Sequence, residues 1–598
     1  MGKMPRRIYP FILISWLLVL AACSQATDSP TAVPSLPPIT AVTSPITPPT
    51  DPPAPTDSPT AVSALLNTSV PSPTAAPPTL KPEPTPSPLP LDLSISEDDV
   101  YLYPVPEIYA GEKVTFQILA YVPDNITPQD VTVNVLVDYQ DIADGTLEYV
   151  NLGGDAVALF TWAWDTTGEP GEHLVHVILD RYDTIQAGDE NEDNNQVALT
   201  VNIQDQTEMP IPQRDAVWVT AETDCCTVHV VSGTAAYRDL TSLLTATETA
   251  VNKAAARLDV EPTEKLHAYF IDRVIGQGGY AGNAMVVSYL DRQYSGAGLA
   301  EVLTHEAVHI LDRQFAPDRI SFLAEGVAVW ASGGHYKTED LGPRSAALIT
   351  LGQYVPLPQL IDNFYPVQHE IGYLEAAGFV QYLIEQYGWP QFRAFYADVT
   401  ADDAPALSEA VDLNLQQYFG ITLAEAEADW LASMEPLEPD DTAVLDLQTS
   451  IRYYNTMRRY QQAYDPTAYF LTAWLPYPGV LQEEGNPADL TRHPRAEINV
   501  TLEIMLASAD AAMRQGDYKR ANALLDSVAR VLDNDGRYID PLALSYHDIV
   551  HTAAIEGYEV QQAELNGSRA IVKVTRPNLT TLSQLDFVLS GQTWVLSD

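Results

Sequence analysis

The stretch His305-Glu306-Ala307-Val308-His309 has the residue types that a zinc hydrolase needs, at a spacing that suits a helix. It lies in an apolar helical pattern, 299–315. Residues four apart stack on one helix face, so both imidazoles can reach a single point. Zinc accepts neutral imidazole nitrogens and keeps one position open for water in catalytic sites. Glu306 is then placed to act as the general base on that water.

A catalytic zinc site of this kind needs a third protein ligand, and the sequence offers two candidates. Glu325 lies in a second apolar segment, 322–330, which follows a short loop. His335 follows two glycines further on and is the alternative. Two His, one Glu and a water form the thermolysin-like arrangement. Asp312, just beyond His309, is interpreted either as a residue that orients a ligating imidazole or as a solvated helix charge.

HEAVH followed by FLAEGVAVW closely resembles the gluzincin metallopeptidases, among them the peptidase MA-like bacterial group, over residues 215–435. The resemblance implies zinc ligation by His305, His309 and Glu325, and general-base catalysis by Glu306. Metzincins are excluded, because their longer motif needs Gly and His where this chain has Asp312 and Phe315.

The same resemblance suggests residues that contact substrate. Segment 280–287 resembles the edge strand that borders the gluzincin cleft, and an extended peptide can pair with such an edge. We therefore expect Asn283 and Ala284 to bind substrate, with an ordinary edge strand as the alternative. In relatives a Tyr or His from a later helix stabilises the oxyanion. Tyr373, which begins the apolar helix predicted at 373–387, is the candidate, and a core aromatic is the alternative. His369 and Tyr365 are fallback donors.

The first residues predict the compartment. A basic start and a short apolar run at 8–20 end in Leu-Ala-Ala-Cys, which is the pattern of a bacterial lipoprotein signal. We expect cleavage after residue 22, lipidation of Cys23 and anchoring on the extracellular side of the cell membrane. A plain secretory signal is the alternative. Residues 23–91 are rich in Pro, Thr and Ser and predict a disordered stalk.

The net charge of the chain disfavours one class of binding partner, and its adjacent cysteines leave two redox states open. The 80 acidic residues exceed the 31 basic ones and give a formal net charge of −49, which disfavours nucleic acid as a partner. Cys225 and Cys226 are adjacent, and either a vicinal disulfide or two reduced thiols is compatible with the sequence. No feature indicates an oligomeric state.

Composition and periodicity predict a multidomain fold. Short alternating runs at 92–205 predict a β-sandwich similar to CARDB-type, immunoglobulin-like modules, with a solvated acidic turn at 189–195 rather than a calcium site. An α+β zincin-like metallopeptidase domain is expected at 206–438. At 439–598 we expect a helical hairpin and a small sheet. There a second H-x-x-x-H, from His547 to His551, lacks a following E-G-x-A helix and is interpreted as part of a surface helix pair, with a second metal site as the minor alternative.

The sequence therefore predicts a membrane-anchored, extracellular zinc peptidase that cleaves peptide or protein substrates. Endopeptidase activity is slightly preferred, because no motif for capture of a free amine is found. The alternative is a surface binding or adhesion protein with an inert peptidase-like domain. All four motif residues are present, which favours the enzyme.

Overall fold

A β-sandwich begins the described part of this computed structural model, which covers residues 92–597 without 104–106, 124–125, 153–154, 186–188, 190, 273–277, 293–297, 336, 469–481, 483–492 and 578. Its strands are β1 (Val100–Tyr103), β2 (Ile108–Tyr109), β3 (Lys113–Ala120), β4 (Thr132–Val137), β5 (Gln140–Thr146), β6 (Glu148–Leu152), β7 (Asp155–Asp165), β8 (Gly171–Leu179) and β9 (Gln196–Gln204). They form two sheets, β1-β3-β7-β6 and β2-β9-β8-β4-β5. The alternation of residues along β8 explains why it forms a strand of a sandwich. Buried residues alternate with partly exposed ones, so one face of the strand packs in the core and the other faces outward.

The acidic turn before β9 is closed by its own hydrogen bonds. The carboxylate of Asp189 accepts from the backbone N–H groups of Leu93, at 3.1 Å, and Asn191, at 3.0 Å. It also accepts from the amide of Asn195 at 2.8 Å. These bonds tie the turn to the start of the sandwich.

The middle region packs helices against a mixed sheet of order β10-β11-β12-β14-β13. Its strands are β10 (Trp218–Glu222), β11 (Cys226–Val231), β12 (Leu266–Ile271), β13 (Gly279–Ala281) and β14 (Met285–Ser288). The helices are α1 (Ile211–Arg214), α2 (Ala235–Arg238), α3 (Leu240–Leu258), α4 (Leu299–Leu311), α5 (Ser321–Ser332), α6 (Leu341–Leu351), α7 (Leu357–Asp362), α8 (His369–Tyr387), α9 (Trp389–Asp398), α10 (Leu407–Phe419) and α11 (Leu423–Met434). The core lies between the sheet, α3 and α4, and continues through α5 and α8.

Three helices differ from the expected bounds, and one of them, α8, begins at His369 rather than at Tyr373. The sequence from 235 to 258 predicts a single helix, but the helix breaks at Asp239, whose φ of −101° and ψ of 14° leave the helical region, so α2 and α3 are separate. The motif helix α4 ends at Leu311, and a 3-10 turn covers Asp312–Gln314. Cys225 and Cys226 are joined by a disulfide, which selects one of the two states that the sequence left open.

The C-terminal region contains α12 (Asp441–Tyr464), α13 (Glu497–Arg514), α14 (Tyr518–Leu532) and α15 (Pro541–Ile555), followed by the antiparallel sheet β15 (Glu559–Asn566), β16 (Arg569–Thr575), β17 (Ser583–Ser590) and β18 (Thr593–Leu596). The predicted hairpin is confirmed: Gly516 takes a φ of 74°, and Asp517 caps α14. Helix α12 packs on α6 and α8 as well as on α13 and α14, so it joins the middle and C-terminal regions.

No helix within the described residues combines the length and apolar character needed to cross a bilayer. The predicted signal peptide at 1–22, the lipidation site Cys23 and the stalk at 23–91 lie outside the described residues.

Candidate metal centre

Helix α4 brings the two motif histidines together. Its buried residues, among them Leu303, Ala307 and Val308, hold the helix in the core. His305 and His309 are one turn apart, and their rings meet edge to face with centroids 4.7 Å apart. Their Nε2 atoms are separated by 3.1 Å. Two nitrogen donors therefore converge on one point beside the helix.

Helix α5 supplies the third donor. Glu325 Oε2 lies 3.1 Å from His305 Nε2 and 3.2 Å from His309 Nε2. The next residue, Gly326, explains how α5 comes so close to α8. A Cβ at this glycine would lie 2.7 Å from the carbonyl oxygen of Ala376 and 2.8 Å from a methyl of Val380. The missing side chain thus lets the two helices approach and fixes the position of Glu325.

The three donor atoms fit a tetrahedral zinc ion. Zinc–nitrogen and zinc–oxygen bonds of about 2.0–2.1 Å place neighbouring tetrahedral ligands about 3.3 Å apart. The observed separations are 3.1–3.2 Å. His305, His309 and Glu325 also form the one cluster of three His, Cys, Asp or Glu donors that the described residues bring within 4.8 Å of one another.

Electrostatics support a charged carboxylate in this group. Burial by itself raises the pKa of Glu325, but the charge of His309 and the hydrogen bonds from both imidazoles hold it well below the usual value. The phenol of Tyr365 donates to the second oxygen, Glu325 Oε1, at 3.1 Å. Both oxygens of the third donor are therefore engaged, which fixes the carboxylate plane.

Glu306 is buried next to the two imidazoles. Burial raises the pKa of its carboxyl to about 8, and the charge of His309 opposes this rise. The edge strand β13 lies directly against it, because a Cβ on Gly279 would lie 2.8 Å from Glu306 Cγ and 2.9 Å from Oε1. A buried carboxylate with a high proton affinity is suited to act as a general base.

Asp312 stabilises the C-terminal end of α4, the helix that carries His305 and His309. It is fully buried, so its interpretation as a solvated charge is wrong. Its carboxylate contacts Arg319 Nε at 2.8 Å and accepts from the Tyr396 hydroxyl at 2.6 Å. Arg319 in turn donates to the backbone carbonyl of His309 at 2.9 Å. Asp312 thus acts on the end of α4 through Arg319.

His335, the alternative third ligand, belongs to a neighbouring cluster. Its Nδ1 lies 2.6 Å from Glu370 Oε2, and its ring packs against Tyr373 with centroids 4.9 Å apart. Glu325 rather than His335 therefore completes the donor set. The prediction that His335 could take this place is wrong, because Glu370 holds its ring.

Tyr373 lies beside the donor set. It is buried, and its ring lies 6.2 Å from that of His305 and 4.1 Å from that of His369. Burial, and next the charge of Glu325, raise the pKa of its phenol well above the usual value, so the hydroxyl stays protonated. Its role as the oxyanion donor stays a prediction. Of the fallback donors, Tyr365 contacts the Glu325 carboxylate, and His369 lies behind Tyr373.

The residues expected to bind substrate lie in and next to a turn. Asn283 is exposed between β13 and β14, and Ala284 is buried. The edge strand itself is shorter than expected and covers Gly279–Ala281. Arg313 donates to the carbonyl of Ala281 at 3.3 Å. Substrate binding by Asn283 and Ala284 stays a prediction.

Sequence reasoning missed a buried charge network that links α12 to the centre. Arg344 donates to Glu370 at 2.7 Å and lies 2.8 Å from Glu339. It also contacts Asp446 of α12. From the same helix, Arg458 Nη2 lies 3.2 Å from His369 Nδ1. Apart from Glu339, which is close to Arg344 in the sequence, these partners are 26 to 102 residues apart, and no local pattern in the sequence signals them.

Comparisons with known proteins gave likenesses of structure only. No protein-family model matches the chain, and no curated protein does. A CARDB domain of Pyrococcus furiosus, solved with two metal ions, is 18% identical, covers 20% of this chain and 94% of its own, and has a TM-score of 0.16. An M1 zinc metallopeptidase of Deinococcus radiodurans is 13% identical, covers 58% and 95%, and has a TM-score of 0.26. An aminopeptidase N family protein of Idiomarina loihiensis is 9% identical, covers 60% and 78%, and has a TM-score of 0.27.

Proposed function

We propose that this chain is a zinc-dependent peptidase. The observation that carries the proposal is the donor set of His305, His309 and Glu325, with separations of 3.1–3.2 Å, beside the buried carboxylate of Glu306. Helix α4 would then supply two metal ligands and the base within one turn, and α5 would supply the third ligand.

The chemistry follows from the positions of the side chains. A zinc ion held by the three donors supplies a Lewis acid that polarises a carbonyl and lowers the pKa of water. Glu306 lies beside the two imidazoles and takes a proton from the attacking water; burial raises the pKa of its carboxyl, which favours this transfer. Glu306 then returns the proton to the departing amine nitrogen, so the base is restored at the end of the cycle.

Tyr373 is proposed to donate its phenol proton as a hydrogen bond to the oxyanion that develops on the scissile carbonyl. Its protonated state at neutral pH and its place next to His305 support this role. A hydroxyl that donates only as charge develops lowers the barrier without tightening substrate binding.

The substrate is proposed to be an extended peptide that lies along β13. Gly279 brings this strand against Glu306, so a peptide paired with the strand passes close to the base. Asn283 and Ala284, at the far end of the hairpin, are proposed to contact it. Endopeptidase activity is preferred, since the sequence offers no motif that captures a free amine.

The compartment is proposed from the N-terminal sequence alone. A lipid anchor at Cys23 and a stalk at 23–91 place the folded regions outside the bacterial membrane. Replacement of this residue, Cys23→Ala, is expected to move the protein from the membrane fraction to the soluble fraction. Retention in the membrane would remove the lipidation proposal but leave the peptidase proposal intact.

The deciding experiment measures bound zinc and peptide cleavage on the same samples of purified full chain. Glu306→Gln is expected to lower cleavage of a quenched peptide library by about 10²- to 10⁴-fold while zinc content stays at the wild-type level. Glu325→Gln is expected to lose both. The matched control is Glu301→Gln on the same helix, which is expected to change neither.

Two outcomes would contradict the proposal. A wild-type protein that holds zinc but cleaves no peptide would favour the binding or adhesion protein. A folded wild-type protein without zinc would remove the site itself. Cleavage of blocked peptides, acetylated and amidated at their ends, distinguishes an endopeptidase from an exopeptidase.

A further inference from the structure

The C-terminal region brings a second pair of histidines against a carboxylate. His547 and His551 lie one turn apart on α15, and their ring centroids are 6.0 Å apart. Glu497, in the first turn of α13, faces both of them. His551 Nδ1 lies 3.0 Å from Glu497 Oε1, and His547 Nδ1 lies 4.0 Å from Glu497 Oε2. The sequence offered no carboxylate for this pair, because its partner lies 50 residues upstream.

The geometry around His547 leaves one nitrogen available. Its ring stacks on Tyr538, with centroids 4.2 Å apart and planes 13° apart, which fixes its direction. Its Nδ1 atom is buried and has no hydrogen-bond partner among the described residues. Such a buried acceptor is costly unless a ligand satisfies it.

The exposure of two of these side chains lets the donor atoms move toward a shared ion. The side chain of His551 is 52% exposed and that of Glu497 is 42% exposed. Both side chains can therefore rotate toward a shared ion. The movement needed is small, because the ring centroids of His547 and His551 are 6.0 Å apart, against 4.7 Å for His305 and His309 in the first centre.

We propose that His547, His551 and Glu497 form a second metal site that binds a divalent transition ion such as zinc. Two imidazoles and one carboxylate are a donor set that such ions accept, with the remaining positions left to water. The ion would hold the beginning of α13 to α15 and so stabilise the C-terminal region.

This site is not a second copy of the catalytic centre. The residue after the first histidine, Asp548, directs its carboxylate to the backbone N–H of Trp594. It therefore binds the end of the sheet and is not placed to act on water beside the two histidines. The role we assign is structural, and it does not depend on the peptidase activity.

The test counts zinc in a background where the first centre is disabled. The full chain carrying His305→Ala and Glu325→Gln is expected to bind one zinc per chain and to gain thermal stability on zinc addition. Adding His551→Ala to that background is expected to lower zinc affinity at least tenfold and to abolish the zinc-dependent rise in Tm. His176→Ala, a change of a histidine in the sandwich, is the matched control and is expected to change neither.

Two results would overturn this proposal. One is a folded double variant that binds no zinc at micromolar concentration. The other is a triple variant with His551→Ala that binds as tightly as the double variant. In both cases the unfolding transition measured without zinc shows whether the variant is folded. The side chain of His551 is 52% exposed, so its removal leaves the core unchanged.

Discussion

The Tyr365 hydroxyl donates to Glu325 Oε1 at 3.1 Å, while the other oxygen of the same carboxylate faces His305 and His309. One residue thus orients the only carboxylate of the donor set. Tyr365→Phe removes this bond and is expected to weaken zinc binding about 10- to 100-fold, as the loss of such an orienting partner does. Competition with a chromophoric chelator measures this. Tyr382→Phe on α8 is the matched control, and equal affinity in both variants would contradict the role of Tyr365.

Tyr373 is expected to act on the rate rather than on the metal. Tyr373→Phe keeps the ring that packs on His369 and His335 but removes the donor. We expect kcat to fall about 10²- to 10³-fold, with KM and zinc content close to wild type. Steady-state kinetics and metal analysis on one sample separate the outcomes. A loss of zinc or of folding would show that Tyr373 has a structural role instead.

The glycine after the third ligand is expected to be intolerant of substitution. In Gly326→Ala the new methyl group meets the backbone of α8 at 2.7 Å, and backbone yields less readily than a side chain. We expect a loss of about 1–3 kcal/mol in the free energy of unfolding and reduced zinc affinity, because Glu325 moves with α5.

The control for this change is another helical glycine. Gly372→Ala on α8 places its methyl group 3.5–3.6 Å from side chains of Leu360, Phe364 and Val367, which is ordinary contact. It is expected to be neutral or slightly stabilising, because Ala favours helix over Gly. Denaturant unfolding compares the two, and similar effects at both positions would refute the packing argument.

The buried Arg344 is expected to hold α12 onto the middle region. It contacts Glu370 and Asp446, which are buried, and Glu339, whose side chain is 7% exposed. Arg344→Met removes the cation that these carboxylates share, although Lys337 still contacts Asp446 and His335 still contacts Glu370. The loss is expected to cost about 3–5 kcal/mol. Arg459→Met breaks the exposed pair with Asp533 and is expected to cost under about 1 kcal/mol. Urea unfolding of both variants measures the difference, and equal losses would contradict it.

Glu375 predicts a pH dependence of stability. Its Oε1 accepts from the backbone N–H of Val355 at 2.9 Å, and burial raises the pKa of its carboxyl to about 8. The unfolded value is about 4.3, so the folded state binds the proton more tightly between these values. Its contribution to stability therefore falls as pH rises from about 5 to 8.

Glu375→Gln removes this titration. The difference in Tm between variant and wild type is expected to shift in favour of the variant as pH rises from 5 to 8. Thermal unfolding at several pH values measures the shift. A difference that stays constant with pH would show that Glu375 is ionised in the folded protein throughout this range.

The helices and strands agree closely with expectation where the local pattern of residues determines them. Residues 266–271 are rich in types that favour sheets and form strand β12. The helical hairpin expected at 439–598 is α13 and α14, which turn at Gly516. The strands of the sandwich and the C-terminal sheet follow the alternation of their residues. Helix ends were less well predicted: the break falls at Asp239, whose carboxylate accepts from the hydroxyl of the distant Tyr289 at 3.0 Å.

What the sequence determined by itself is the pairing of His305 and His309 with Glu306, because helix geometry places residues four apart on one face whatever surrounds them. Only the tertiary structure decided between Glu325 and His335, joined Arg344 to Asp446 and placed Glu497 beside His547 and His551. These partners are 20 to 102 residues apart, and their approach is set by how helices pack. The role of Gly326 is decided in the same way, because the close approach that requires a glycine there is to the backbone of Ala376 on α8.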